Sequence, residues 1–310
     1  MYRDFAAGIE SERLHEALYA GAIGRFRALP EMAAIVAWTR AFLEERFAPY
    51  LPVESHRHFA PAALAEKIAV TQRDYSRANE AKRLWRTLFE AIGLDPMAVA
   101  RDRLLVRFQP PRGDRPQPWH RSTATVGFHR DSWGTNLYAQ VNWWAPVYPI
   151  SAGRTFAFFP HLWDRPIANS SADFDMAEVM RRVREEPGTL KPGAMVPRLM
   201  EDIDPAEGVP VTIAPGEIIA FSAQHAHAGV PNHTNLTRIS LETRTLVIAD
   251  HLARRGAPNI DGRAHWMAPG LFRRLADGTP LLDLLTCPAL TPFEGPWPAD
   301  SVQVEQRGGR

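Results

Sequence analysis

At Arg101 the chain changes texture, and that change constrains the fold more than any other feature. Before it, Glu31–Phe47 and Pro61–Leu94 place Ala, Leu, Ile and Trp at three- and four-residue steps among charges, the spacing that gives a helix one apolar stripe. Pro61 suits the first position of such a helix, where no backbone N–H is needed. After Arg101, the segments Arg103–Gln109, Thr123–Phe128, Asn136–Val147, Thr155–Pro160, Val209–Ile213, Glu217–Phe221 and Arg238–Ile248 are short strand-like runs bounded by turn residues. Many short strands in one chain fold as a sandwich or barrel. The pattern predicts a mainly β protein with flanking helices. A helical region over 1–100 packs on a β core over 101–250, which carries an insert near 165–208, and an irregular extension follows over 251–310, all in one integrated domain. Within the insert, Asp173–Glu186 reads as a helix and 187–205, rich in Pro, Gly and Met, as either a lid or a long surface loop.

Composition narrows the function classes. A chain of 310 residues, 45% of them apolar, can bury a full core. A net charge of +1 sets up no global field toward nucleic acid or an anionic membrane, so neither is an expected partner. Met1–Glu10 lacks a basic segment followed by an apolar run, and no stretch approaches the roughly 18 apolar residues of a membrane span. The single Cys287 forms no internal disulfide, and no Cys/His zinc spacing exists. Together these features predict a cytoplasmic protein. Lys occurs only at 67, 82 and 191, so the cations are overwhelmingly arginines, which grip carboxylates and phosphates at two points; a high-GC genome would give the same bias.

Chemistry concentrates in two places. Phe128-His129-Arg130-Asp131 closes one strand-like run, and residues two apart on a strand point the same way, so His129 and Asp131 form a claw. A third ligand has to come from elsewhere, and Phe221-Ser222-Ala223-Gln224-His225-Ala226-His227 offers His225 and His227 on one face. Two histidines and a carboxylate leave three positions of an octahedron open, which suits Fe(II) that must take both an organic chelate and O2. The His-x-Asp pattern alone recurs by chance, and a lone histidine near a strand end is more often structural.

The downstream residues add specificity. Pro215-Gly216-Glu217-Ile218-Ile219-Ala220-Phe221, then His227-Ala228-Gly229-Val230-Pro231-Asn232, then Arg238-Ile239-Ser240 resemble the second half of the phytanoyl-CoA dioxygenase-like branch of the Fe(II)- and 2-oxoglutarate-dependent oxygenases. In that family an Arg eleven positions after the distal His binds the co-substrate, and His227 to Arg238 is eleven. The resemblance therefore implies His129, Asp131 and His227 as metal ligands, with His225, thirteen residues before Arg238, beside them. It implies Arg238 and Ser240 at the far carboxylate of 2-oxoglutarate, with Thr155 and Gln140 nearby. The likeness extends over about 101–250, but Phe159-Pro160-His161 lacks the Gly-Ser of the family's Pro-Gly-Ser-His. The fold implied is a double-stranded β-helix, a cupin-like jelly roll. The activity implied is oxidation of a small-molecule metabolite, most commonly hydroxylation, with O2 consumed and succinate and CO2 released. An Asp at 131 disfavours halogenation, for which the family loses the carboxylate.

On the strand predicted after the claw, Asn136, Tyr138, Gln140 and Asn142 alternate, a polar face that burial would leave in need of partners. Asn142, Trp133 and the arginines Arg107, Arg121 and Arg130 are candidates for the substrate side, predicting an anionic or aromatic substrate; Trp143 and Trp144 suit either pocket or core. Two rivals remain: a jelly-roll metal enzyme that does not use 2-oxoglutarate, and a non-catalytic ligand-binding barrel. Arg238 discriminates the first, and the complete ligand set argues against the second.

Overall fold

The computed structural model describes residues 1–111, 123–186, 194–264, 266–285 and 303–304. It is sheet-rich with helices. Four helices lie in the first hundred residues: α1 (Ser11–Tyr19), α2 (Pro30–Phe47), α3 (Pro61–Arg77) and α4 (Asn79–Ile92). The helical run over Pro61–Leu94 is two helices, broken at Ala78 (φ −59°, ψ 122°). The apolar stripe continues across the break through buried Tyr75, Ala81 and Trp85, so periodicity alone does not reveal it. Gly93 ends α4 with φ 113°, and a Cβ there would stand 2.1 Å from the Ile9 carbonyl oxygen, so only glycine fits. Later come a single turn, α5 (Ser132–Thr135), and α6 (Met176–Glu185), the latter inside the predicted 173–186 helix.

The strands are β1 (Tyr2–Phe5), β2 (Ile23–Phe26), β3 (Val99–Arg101), β4 (Leu105–Gln109), β5 (Val141–Pro146), β6 (Phe156–Phe158), β7 (Val209–Pro210), β8 (Ile218–Ser222), β9 (His227–Gly229) and β10 (Arg238–Val247). In the large sheet the order is β1-β2-β8-β5-β10. The far edge of β10 pairs with β4 through Arg238–Glu242 and with β3 through Thr245–Val247. A small sheet runs β7-β6-β9, and His129 bridges to His227 at its edge.

Alternation along β5 separates the layers. Trp143 packs against Phe89 of α4 at 5.2 Å between ring centroids, within the cluster shared by the helices and the outer face of the large sheet. Trp144, one residue on, packs against Phe156 of the small sheet at 5.0 Å. Phe158 meets Phe221 edge-on at 4.8 Å in the same inter-sheet cluster. The sheets therefore face each other across an aromatic layer, with α2–α4 on the opposite side of the large sheet.

Several expectations need correction. The first hundred residues are not wholly helical, since β1 and β2 extend the large sheet; at four residues each they are too short to show a period. Thr123–Phe128 is irregular, and the strand predicted from Asn136 starts at Val141, because Asn136 sits in the left-handed region (φ 54°) as the end of α5. Of Val209–Ile213 only the first two residues are strand. Residues 187–193 of the predicted lid or loop lie outside the described residues, as does Arg121. Among the described residues, no helix is long and apolar enough to cross a membrane.

Candidate metal centre

His129 and His227 are cross-strand partners. Their backbones exchange two hydrogen bonds of 3.0 Å, and their ring centroids are 4.3 Å apart. Each Nδ1 lies against a backbone carbonyl, Gly127 O at 2.9 Å for His129 and His225 O at 3.0 Å for His227. A carbonyl oxygen only accepts, so each Nδ1 donates and each Nε2 keeps its lone pair for the space between the rings. Asp131 reaches that space by a route the sequence did not suggest. It is helical (φ −64°, ψ −31°) and heads α5, so the chain turns sharply after His129 and the two side chains converge without strand alternation. Asp131 Oδ1 is 3.8 Å from His129 Nε2, and Oδ2 is 3.9 Å from His227 Nε2. One ligand atom from each of the three lies within 4.8 Å of the others, a donor set of two imidazoles and a carboxylate that fits a divalent transition metal.

The carboxylate is supported from behind. Asn142 Nδ2 donates to Asp131 Oδ2 at 2.7 Å, and Arg244 Nη2 lies 3.4 Å from Oδ1. Arg244 is held in turn by buried Asp102, whose Oδ2 is 3.1 Å from Nη1 and whose Oδ1 accepts from the Arg244 backbone N–H at 2.8 Å. Burial alone would raise the Asp131 carboxyl, but Arg244, the two imidazoles and the Asn142 hydrogen bond outweigh it and bring it down to about 2. Burial and the neighbouring His227 push His129 down to about 4. At neutral pH Asp131 is thus an anion and His129 a neutral ligand, as metal binding requires.

The triad opens into a cavity of about 90 Å³ between the sheets. That is several times the roughly 10–15 Å³ a cavity needs to hold one water. Arg238, Glu242 and Arg244 of β10 line it, as does Arg107 of β4. Arg107 Nε donates to both Glu242 oxygens at 2.9 Å. Arg238 is 6% exposed, and among the described residues its Nε and Nη1 have no hydrogen-bond partner. Burial, reinforced by Arg107 and opposed by Glu242, lowers this guanidinium to about 10. A buried cation with two idle donors is costly unless an anion meets it.

The other predicted residues divide. Asn142 and Arg107 line the cavity. Ser240 lies on β10 between Arg238 and Glu242, and its hydroxyl is 3.4 Å from Glu242 Oε1. Gln140 is buried and donates to Asn142 Oδ1 at 2.9 Å, one step removed from Asp131. Thr155 spends its hydroxyl on Val211 O at 2.7 Å and is not among the cavity-lining residues. His225 is buried against Trp163, its ring centroid 4.6 Å away, and burial lowers it to about 3. Trp133 and Arg130 point to Asp261 instead of the cavity. Half-exposed His161 pairs with Glu207 at 2.8 Å. Sequence reasoning missed Asp102, Glu242, Arg244 and Asp261. The available signal for Glu242 and Arg244 was the i, i+2, i+4, i+6 polar register from Arg238 along β10.

No protein-family model and no curated protein matches the chain. Among solved structures, EvdO2 from Micromonospora carbonacea var. aurantiaca is similar over 80% of this chain and 94% of its own, at 14% identity and a TM-score of 0.44. A second structure of EvdO2 is complexed with 2-oxoglutarate and has a TM-score of 0.43 at 14% identity, over 78% of this chain and 93% of that one. SnoN, a non-heme alpha ketoglutarate dependent epimerase from nogalamycin biosynthesis, is similar over 82% of this chain and 98% of its own, at 15% identity and a TM-score of 0.39.

Proposed function

We propose that this protein is a non-haem Fe(II)- and 2-oxoglutarate-dependent dioxygenase of jelly-roll fold, built as one integrated domain, that oxidises a small-molecule metabolite, with hydroxylation the expected outcome. The observation that carries the reading is one cavity holding both a convergent His129–Asp131–His227 triad and a buried Arg238 with two idle donors. Neither half alone points to a 2-oxo acid; a metal and an anion clamp on one cavity do.

Charge supports the same ligand. At the metal end, Asp102 and Asp131 against Arg244 leave one net negative charge. At the other end, Arg107 and Arg238 against Glu242 leave one net positive charge. A divalent cation makes the metal end net positive, and a dianion with one carboxylate at each end then neutralises both. In this reading His129, Asp131 and His227 hold the iron, Asn142 and Arg244 orient Asp131, and Arg238 with Ser240 receives the far carboxylate. Bound iron and 2-oxoglutarate supply the oxidising power from O2, with succinate and CO2 as co-products. The aromatic layer of Trp144, Phe156 and Phe221 walls the cavity and excludes water.

Anaerobic titration of Fe(II) in the presence of 2-oxoglutarate tests this directly. The wild type is expected to develop the weak visible charge-transfer band of the chelated co-substrate, and His227→Ala to lose it. Iron binding with no band on adding 2-oxoglutarate would replace this reading with a metal enzyme that does not use the co-substrate.

A further inference from the structure

The chain beyond Asp250 runs across the segment that follows Asp131. Ala257 N donates to Tyr138 O at 3.0 Å, Asn136 Nδ2 donates to Ala264 O at 2.8 Å, and Ala268 N donates to Thr135 O at 3.0 Å. A Cβ on Gly256 would stand 2.2 Å from the Tyr138 carbonyl, so the two backbones are in direct contact. A further link is Asp261, which ties together three segments. Its Oδ1 accepts from Trp133 Nε1 at 2.8 Å, and its Oδ2 accepts from Ile167 N at 3.0 Å and pairs with Arg130 Nη1 at 3.0 Å. Fully buried Arg130 also donates to the carbonyls of Leu162 and Arg165.

The position of these partners carries the argument. Arg130 is the residue between His129 and Asp131, and Trp133 follows Asp131 by two. Because His129 is bridged to the small sheet while Asp131 already belongs to α5, their separation depends on how the turn between them is held. A desolvated ion pair contributes little net stability compared with apolar packing, but it enforces geometry on whatever it joins. Resting on the metal-binding reading above, we propose that Asp261 is a positioning residue of the metal centre, acting through Arg130 and Trp133 to hold His129 and Asp131 at the spacing a divalent cation needs.

The test is anaerobic titration of the full chain with Co(II), whose visible d–d absorption reports both affinity and coordination geometry without turnover. Asp261→Asn keeps the shape of the side chain and removes its charge; its Co(II) affinity is expected to fall about tenfold with an altered band. Trp133→Phe removes only the indole donor, and about a threefold loss is expected. As a control, Trp85→Phe removes the 3.2 Å bond from Trp85 to Tyr75 in the helical layer, and it should lower the melting temperature without moving cobalt affinity. A purely structural Asp261 would behave like that control. Wild-type affinity and band in both Asp261→Asn and Trp133→Phe overturn the proposal, and if Asp261→Asn does not fold, Trp133→Phe decides alone. A wild type that binds no cobalt overturns the metal reading and this proposal with it, a result distinct from the variants binding normally.

Discussion

Arg238→Met separates a clamp from a structural arginine because it moves two quantities in opposite directions. Burial holds Arg238 at about 10 instead of its ordinary 12.5, so at neutral pH the buried cation destabilises the ligand-free fold by about 3 kcal/mol. Methionine keeps the apolar stem and removes that penalty, so the ligand-free melting temperature should rise, by up to about 6 °C at about 2 °C per kcal/mol. With metal present, 2-oxoglutarate at about 100 times its Kd stabilises the wild type by about 2.7 kcal/mol, an upward shift of about 5 °C. Losing one partner of a buried ion pair costs about 3–5 kcal/mol, which weakens binding by roughly two to four orders of magnitude. At the same 2-oxoglutarate concentration the variant should then shift by under about 1 °C. The assay is calorimetry of both proteins with a divalent metal, with and without 2-oxoglutarate. An undiminished ligand-induced shift in Arg238→Met would refute the clamp, and a lower ligand-free melting temperature would refute the burial penalty.

Two further outcomes follow from the buried charges. Arg244→Met leaves Asp102 and Asp131 without their shared cation and should destabilise the metal-free protein by about 3–5 kcal/mol. Because a divalent metal takes over as counter-charge, the gain in urea midpoint on adding Mn(II) should exceed the wild-type gain, and an equal gain would show that Arg244 does not act on Asp131. Burial lowers His129 to about 4, His225 to about 3 and His251 to about 4, so below the ordinary 6.5 the unfolded chain binds protons that the folded chain refuses. Stability of the metal-free protein should therefore fall as pH drops from about 6.5, by about 4 kcal/mol per pH unit near pH 5, and urea unfolding that is flat between pH 6.5 and 5 would contradict it.

How much of this was legible depends on what kind of fact each element is. Among the long helices α4 was readable because it repeats one apolar stripe over several turns, whereas β1 and β2 become strands only by pairing, β1 along β2 and β2 along β8. The triad residues were visible as residue types, but the route that joins them was not. Strand alternation was the available argument for His129 and Asp131, and the actual device is a tight turn with Asp131 in helical conformation. Trp133 and Arg130 show the converse. Beside a metal motif they invite a substrate role, yet both face Asp261, a partner from a segment with no periodicity to announce its contact.

β10 shows where sequence physics ran out. In Arg238-Ile239-Ser240-Leu241-Glu242-Thr243-Arg244 the strand period puts four polar side chains on one face, while Ile239 and Leu241 join the cluster under the helices. Pattern alone assigns such a polar ladder to solvent, since alternating charges on an exposed strand are ordinary. What reverses the assignment is the small sheet folding over that face, which removes water and makes every charge answer to a neighbour: Glu242 to Arg107, and Arg244 to Asp102 and Asp131. Among the described residues, Arg238 alone of these β10 charges keeps two buried nitrogens without a hydrogen-bond partner. The same register that sets Arg238 against Gln109 places Arg244 opposite Asn142, so the proposed anion end and the proposed metal end are two ends of one strand face. A one-residue slip of β10 would turn both ends into the helical layer at once. The fold thus ties Arg238 and the supports of the His129–Asp131–His227 triad to a single register.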